Sequence, residues 1–214
     1  MPTPGDGLIA WIFEILFVYF KRLTGQKHLF PANITTKLVL KTPFQIRTAT
    51  LDDAVALTDL AIRTMREAFG PPHNPAELVD AYIAEAFSVE QTRQELLDPK
   101  ATFLVTIGPD QEVVGYAKLR RNRPPRQLKG QHAIEIQRLY VLDSQIGNGL
   151  GRQLMENCLD RARQEGYQAL WLGVWERNKR AIGFYERMGF QKCGWHYFQF
   201  GHERQRDYWM KKEV

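Results

Sequence analysis

The 214-residue chain has only two cysteines, Cys158 and Cys193. Two thiols cannot staple a disulfide-rich secreted scaffold. Cys158 also falls on the apolar face of a predicted helix, where packing outranks a bridge or a nucleophile. A cytoplasmic, reducing compartment is the default expectation. Long hydrophobic runs are missing too. The most apolar stretch, Leu8 to Phe20, is interrupted by Glu14 and is shorter than the roughly 20 residues a membrane-spanning helix needs. A signal peptide would want a positive charge ahead of that stretch, and none is there. Histidines and cysteines never fall at metal-ligand spacing, and His196 and His202 lack ligating neighbours, so no metal is expected. Extreme charge is absent: 29 Lys and Arg against 24 Asp and Glu leave +5. That balance suits an anionic cofactor but gives no reason to expect nucleic acid as a partner. No internal repeat or low-complexity segment is present.

What remains is an ordinary globular composition, 44% hydrophobic and 25% charged, with a change of character near residue 42. Residues 1–41 read as an N-terminal extension. Its apolar helix at 8–20 is read as docking on the domain or a partner, or as an artefact of start-site choice; membrane contact has no second anchoring signal behind it. Residues 42–214 read as one domain. Phe44 to Thr48 is a short strand. Thr50 to Asp53 resembles a capping box before a helix over Ala54–Phe69. Gly70 to Pro75 breaks that helix, Pro75 opens a second one ending near Phe87, and Ser88 caps a third to about Leu97. Together the three would form a lid. Strands follow at Ala101–Ile107 and Val113–Leu119, joined by a hairpin signal at Gly108 to Gln111. A basic run from Arg120 to Lys129 reads as a solvated loop, with a phosphate or partner contact as the alternative.

The rest of the chain is organised around residues 134–152. Ile134 to Leu142 is a β-rich apolar run that fits a central strand. Gly147, Gly149 and Gly151 make a glycine loop, and Arg152 to Gln164 has helical apolar spacing. Strand, glycine loop and helix in that order can turn several backbone N–H groups toward one anion, typically phosphate, at a helix N-terminus. A Walker loop would need Lys and then Ser or Thr where Arg152 and Gln153 stand. A dinucleotide fingerprint needs a third glycine where Arg152 or Leu154 falls. Both patterns fail. Beyond this unit lie a buried strand at Ala169–Val174, a helix at Asn178–Met188 ended by Gly189, and strands at Gln191–Phe200 and Gln205–Met210. The order predicts a mixed α/β sheet and not a doubly wound one.

Leu139-Tyr140-Val141-Leu142 followed by Gly149-x-Gly151 resembles the acetyl-CoA motif of the GNAT N-acetyltransferases. Trp171 to Phe190, with Asn178, Phe184, Tyr185 and Gly189, resembles that family's second motif. The tail, from His196-Tyr197-Phe198 through Gly201 and Glu203 to Gln205 and Asp207, is similar to the PaiA-like polyamine acetyltransferases. The resemblance spans roughly Phe44 to Lys212. It implies a predominantly antiparallel sheet with one splayed parallel pair, flanked by helices, and a direct transfer of acetyl from acetyl-CoA to a primary amine such as spermidine or spermine. A protein N-terminus, a Lys side chain or an antibiotic amine is the alternative acceptor, and a non-catalytic acyl-CoA-binding module is the alternative class. Backbone groups near Leu139, Tyr140 and Val141 would pair with pantetheine. Gly147, Asn148, Gly149, Leu150, Gly151 and Arg152 would cradle the pyrophosphate, and Asn178 would add a polar contact. Tyr185 would protonate the departing thiolate, and Glu135, with Gln137 ordering a water, would be the base. His196, Gln205 and Asp207 are read as lining the acceptor pocket or as merely pairing the last strands. Acidic residues on the lid, Glu67, Asp80 and Glu85, are expected to offset the basic loop. One residue departs from the family pattern: Ile146 stands where Gln or Arg is usual. The oligomeric state is open between a monomer and a homodimer.

Overall fold

The computed structural model describes residues 44–200 and 203–214. The 1–41 extension and its apolar stretch lie outside them. A seven-stranded sheet runs β1 (Gln45–Thr48), β2 (Ala101–Ile107), β3 (Val113–Arg120), β4 (Ala133–Val141), β5 (Ala169–Trp175), β7 (Glu203–Glu213) and β6 (Gln191–Phe200) from edge to edge. Every neighbouring pair is antiparallel except β4 and β5. The mixed α/β sheet with one parallel pair is therefore as expected. β7 is longer than its apolar pattern suggested because it inserts between β5 and β6 and is paired on both sides, where polar residues are tolerated along the ladder.

The helices are α1 (Ala54–Phe69), α2 (Ala76–Ala86), α3 (Val89–Leu97), α4 (Leu150–Gln164) and α5 (Lys179–Arg187). Their starts follow local chemistry. Asp53 carboxylate oxygens accept from the Thr50 N–H at 2.7 Å and from Arg47 at 2.7 Å, which fixes the turn into α1. Ser88 Oγ accepts from the Gln91 N–H at 3.1 Å, as an N-cap does.

The sheet is buried on both faces. On one face Leu154, Met155, Cys158, Leu159 and Ala162 of α4 pack with Ile182 and Tyr185 of α5 on Ile134, Ile136, Leu170 and Leu172. These α4 side chains recur every three or four residues, so one stripe faces the strands. Leu154 is fully buried, and truncating such a leucine to alanine typically costs about 2–5 kcal/mol. On the other face Leu57, Leu60 and Ala61 of α1 cover Phe103, Val105 and Tyr116. A third cluster joins Met65, Leu78, Val79 and Ile83 to Phe200. The basic loop is anchored: Leu128 is fully buried against Ala169 and Trp171.

One irregularity in β4 shapes the centre of the molecule. Lys118 pairs with Arg138 but the next residue of β3, Leu119, pairs with Ile136, so Gln137 is an extra residue, a β-bulge. The parallel ladder to β5 ends just before it, at Glu135 opposite Trp171. Beyond that point β4 and β5 both continue with no ladder between them. The strands splay where the bulge bends one of them.

Candidate active site

The splay opens into a cleft of about 640 Å³. Leu139, Tyr140 and Val141 line it from β4, Gly173, Val174 and Trp175 from β5, and Gly147, Gly149, Gly151 and Arg152 from the loop and the first turn of α4. Without a ladder to β5, the β4 backbone groups past Glu135 on that side are open to another partner.

The loop fits an anion. Gly147 and Gly149 have φ of +92° and +79°, and a Cβ on either would meet nothing within 4 Å. That left-handed backbone is strained for residues with side chains. Gly149 is also the N-cap of α4 and has no side chain to satisfy the first turn. The helical ladder starts at the Gln153 N–H, which donates to Gly149 O at 3.0 Å. The N–H groups of Leu150, Gly151 and Arg152 precede it and carry the positive end of the helix dipole. Two expected loop residues contribute only through the main chain. The Leu150 side chain is buried in the α1 core. Asn148 is exposed and donates to Gln145 Oε1 at 3.2 Å, and neither Asn148 nor Leu150 lines the cleft. Ile146, the family exception, lines the cleft beside Gln145.

Asn178 caps α5, its side chain accepting from the Ala181 N–H at 3.0 Å, and it also lines the cleft. The cap leaves it at the cleft, so the two roles expected of it are compatible. Tyr185 of α5 is about nine-tenths buried yet borders the cleft. Burial, with Tyr140 and Cys158 nearby, pushes its hydroxyl pKa well above the usual tyrosine value. It is a phenol that keeps its proton at neutral pH.

The far end of the cleft is aromatic. Tyr82 of α2 lies tilted against Phe200 at 4.8 Å and meets Phe198 at 6.2 Å and Phe87 at 6.3 Å. Phe69 joins Phe200 to Trp175 at 6.0 and 5.8 Å. All of these line the cleft, with Gln205 and Asp207 from β7. Gln205 Nε2 donates to Asn74 Oδ1 at 2.8 Å, and Asn74 Nδ2 donates to Phe69 O at 2.7 Å. The link between α1 and α2 is thus tied to β7. Burial first, and then the Glu176 charge, lifts the Asp207 carboxyl to about 6. Beside it His196 stacks on Trp209 at 3.7 Å. Burial lowers the His196 pKa, so the ring is neutral at pH 7.

Glu135 does not line the cleft. The residue is 9% exposed, and its carboxylate accepts from Asn122 Nδ2 of the basic loop at 3.0 Å. Burial raises its pKa, and Asn122, Arg120 and Lys118 pull the other way. The bulge breaks the alternation that would have set Gln137 on the Glu135 face. Arg138 takes the register position opposite Lys118 instead, and both Gln137 and Arg138 line the cleft.

Sequence reading missed a buried ionic cluster under this wall. Glu95 of α3 binds Lys118 at 2.6 Å and Arg138 through two contacts of 2.7 and 3.2 Å. Burial first, and Arg138 next, lowers Lys118 to about 8. A lysine and an arginine twenty residues apart on neighbouring strands give no spacing signal that they share a carboxylate. The acidic lid residues look elsewhere: Glu67 accepts from the Asp143 N–H at 3.1 Å and Asp80 pairs with Arg66 at 3.0 Å. Neither they nor Glu85 line the cleft. Among the described residues no cluster of His, Cys, Asp and Glu could hold a metal, and no helix is long and apolar enough to cross a membrane.

The profile of the acetyltransferase (GNAT) family matches residues 60–190. An N-acetyltransferase of Lactobacillus delbrueckii subsp. lactis, itself uncharacterised, is 30% identical over 71% of this chain and 86% of its own length. An uncharacterised N-acetyltransferase of Mycobacterium tuberculosis is 34% identical over 77% of this chain and 99% of its own. Among solved structures, a PaiA N-acetyltransferase from Thermoplasma acidophilum in complex with coenzyme A superposes with a TM-score of 0.67 at 19% identity. The match covers 81% of this chain and all of that one.

Proposed function

The chain belongs to the GNAT family of acetyltransferases, and on that footing we propose that it moves acetyl from acetyl-CoA to a primary amine by direct attack in a ternary complex. The observation that carries this is the splay of β4 from β5 with an uncapped glycine-rich helix start at its mouth. The thioester supplies an activated acyl group. The chain's own residues do the rest. The open β4 edge at Leu139 to Val141 pairs with an extended amide chain, and the loop N–H groups from Gly147 to Arg152 receive the pyrophosphate. Arg152, Arg180 and Arg187 line the same cleft and give it cations for further phosphate charge.

Acetyl transfer requires the nitrogen lone pair. An alkylamine of pKa about 10.4 is protonated at pH 7, and freeing it costs roughly 4.6 kcal/mol. We assign the base to Glu135, acting through a water held past Gln137. Glu135 is buried and does not itself line the cleft, but its chain neighbours Ile136 and Gln137 do. A carboxylate with a raised pKa is suited to that work. The amine then attacks the carbonyl, the C–N bond forms and the C–S bond breaks. Tyr185 donates to the developing thiolate. Full proton transfer from a tyrosine of pKa about 10 to a thiol of about 8.5 is already uphill by roughly 2 kcal/mol, and burial raises the tyrosine further. Its main contribution is therefore a hydrogen bond.

Both cysteines are free. Cys158 lies in the core with its pKa pushed up to about 12, which disfavours an acyl-cysteine route. Initial rates of thiol release at varied acetyl-CoA and amine are expected to give intersecting double-reciprocal lines. Parallel lines, the mark of a covalent acyl-enzyme, would overturn direct attack. Glu135→Gln is expected to lower kcat about 100-fold and to remove the acid limb of its pH profile. A profile left intact would move the base elsewhere. The polyamine reading has support in the tail similarity and in the PaiA fold neighbour. Against it stands the cleft lining, which among the described residues has one carboxylate, Asp207, and four arginines.

A further inference from the structure

We propose that the acceptor end of the cleft seats a singly charged amine on an apolar body, its ammonium on the Asp207 carboxylate and its body against Tyr82, Phe87, Phe198 and Phe200. This rests on the reading of the cleft as the acetyl-transfer site and names the acceptor class for it.

The seat is defined by three strands. Asp207 pairs across β7 with Trp175 on β5 and with His196 on β6, so its side chain shares their face of the sheet. Four residues stand in reach of it from different elements: Tyr140 of β4, Trp175 of β5, His196 of β6, and Glu176 just beyond β5. Not one is a cation at neutral pH. His196 Nε2 is 4.0 Å away, and that ring is neutral. Arg206, next in sequence, is spent on Glu176 at 2.7 Å. Among the described residues no hydrogen bond reaches the Asp207 carboxylate, whose side chain is 18% exposed and borders the cleft. A buried carboxylate with neither a cation nor a donor is costly, and a bound ammonium supplies both.

The walls set the rest of the ligand. The four aromatic rings offer contact area and quadrupoles to an alkyl or aryl body. The other acid near Asp207, Glu176, is already paired with Arg206. Among the described residues that line the cleft, a second positive charge on the ligand would find no free carboxylate. On the β4 wall it would meet Arg138, whose carboxylate partner Glu95 is shared with Lys118. That cluster carries one net positive charge, so a polycation is repelled where a monocation is held.

The chemistry balances without further reactants. The ammonium gives one proton to solvent through the base. The neutral nitrogen takes the acetyl, its remaining surplus proton ends on the CoA sulfur with help from Tyr185, and the products are an amide, a free thiol and one proton.

The test is thiol release from acetyl-CoA by the full chain with 2-phenylethylamine, hexylamine and spermidine. The monoamines are expected to exceed spermidine in kcat/KM by tenfold or more. Asp207→Asn is expected to raise the KM for the monoamine at least tenfold with the KM for acetyl-CoA within twofold, and Asp207→Glu to recover most of that loss. Spermidine preferred over both monoamines would overturn the inference and leave acetyl transfer standing. An unchanged amine KM in Asp207→Asn would do the same, as would Asp207→Glu no better than Asn. If no amine speeds release although acetyl-CoA binds, amine acetylation itself falls and this inference with it.

Discussion

The two ends of the cleft are built by different means. The donor end is one contiguous stretch, β4 into the glycine loop into α4, and what it offers a ligand is main chain: an unpaired strand edge and the N–H groups of an uncapped helix start. The acceptor end is assembled from α1, α2, β4, β6 and β7, and what it offers is side chains. Its elements are held together by contacts as distant in sequence as Gln205 to Asn74, 131 residues apart. A main-chain site tolerates side-chain change as long as the backbone path survives. A side-chain site can be rebuilt for a new ligand without disturbing the main chain. One fold can thus keep its donor and vary its acceptor.

The difference can be broken most severely under the acceptor wall. Glu95→Ala removes the one carboxylate shared by Lys118 and Arg138, leaving two cations together with the lysine almost wholly buried. Breaking such a cluster typically costs about 3 kcal/mol or more. For a chain of this size that lowers Tm by roughly 6–12 °C, measurable by calorimetry. A shift within 2 °C would mean the cluster is not holding α3 to the sheet.

At the donor end the main chain is the target. Gly149→Val forces a β-branched residue into φ of +79° and projects its side chain into open space at the loop. CoA affinity is expected to fall about 100-fold, worth about 2.7 kcal/mol, by titration calorimetry. Affinity within threefold would show that the loop N–H groups are not the phosphate seat.

Asp207→Asn sharpens the contrast through stability. The native Asp207 carboxyl titrates near 6 against about 3.9 in an unfolded chain. The native state thus holds its proton more tightly, and stability falls as pH rises from about 4 to 6 and stays lower above. Replacing the carboxylate should stabilise the protein by roughly 1–3 kcal/mol at pH 7 and by nothing at pH 3.5. Urea melts at the two pH values check this. Equal effects at both would mean the carboxylate is not strained. Stability given up at a site for the sake of its ligand is a familiar trade.

Tyr185→Phe is the mildest change. The ring stays packed in the core and only the hydroxyl goes, so kcat is expected to fall about tenfold, the worth of one hydrogen bond of about 1.4 kcal/mol, with fold and CoA affinity unchanged. A loss beyond 1,000-fold would require complete proton transfer.

The same division explains what the sequence made legible. The parallel pair came only from the family resemblance, whereas element order, the glycine loop and the caps at Ser88 and Asn178 were readable because each is a local pattern of a few residues. So was the α4 stripe from Leu154 to Ala162. The bulge at Gln137 was not, since an extra residue in one strand is defined only by its partner's register. It misdirected the face assigned to Gln137. The Glu95 cluster and the aromatic wall joining Tyr82 to Phe198 and Phe200 were equally silent, because each depends on which distant elements meet. Asp207 was visible as a residue but not as a strained one. Glu135 was visible as an acid in a central strand, and the structure adds that it accepts from Asn122 and does not line the cleft.

One measurement tests the separation of the two ends most directly: CoA titrated into Asp207→Asn beside the wild-type protein, with the amine KM determined on the same samples. The account predicts a CoA Kd within twofold of wild type and an amine KM raised at least tenfold. A CoA Kd that weakens in step with the amine KM would contradict it.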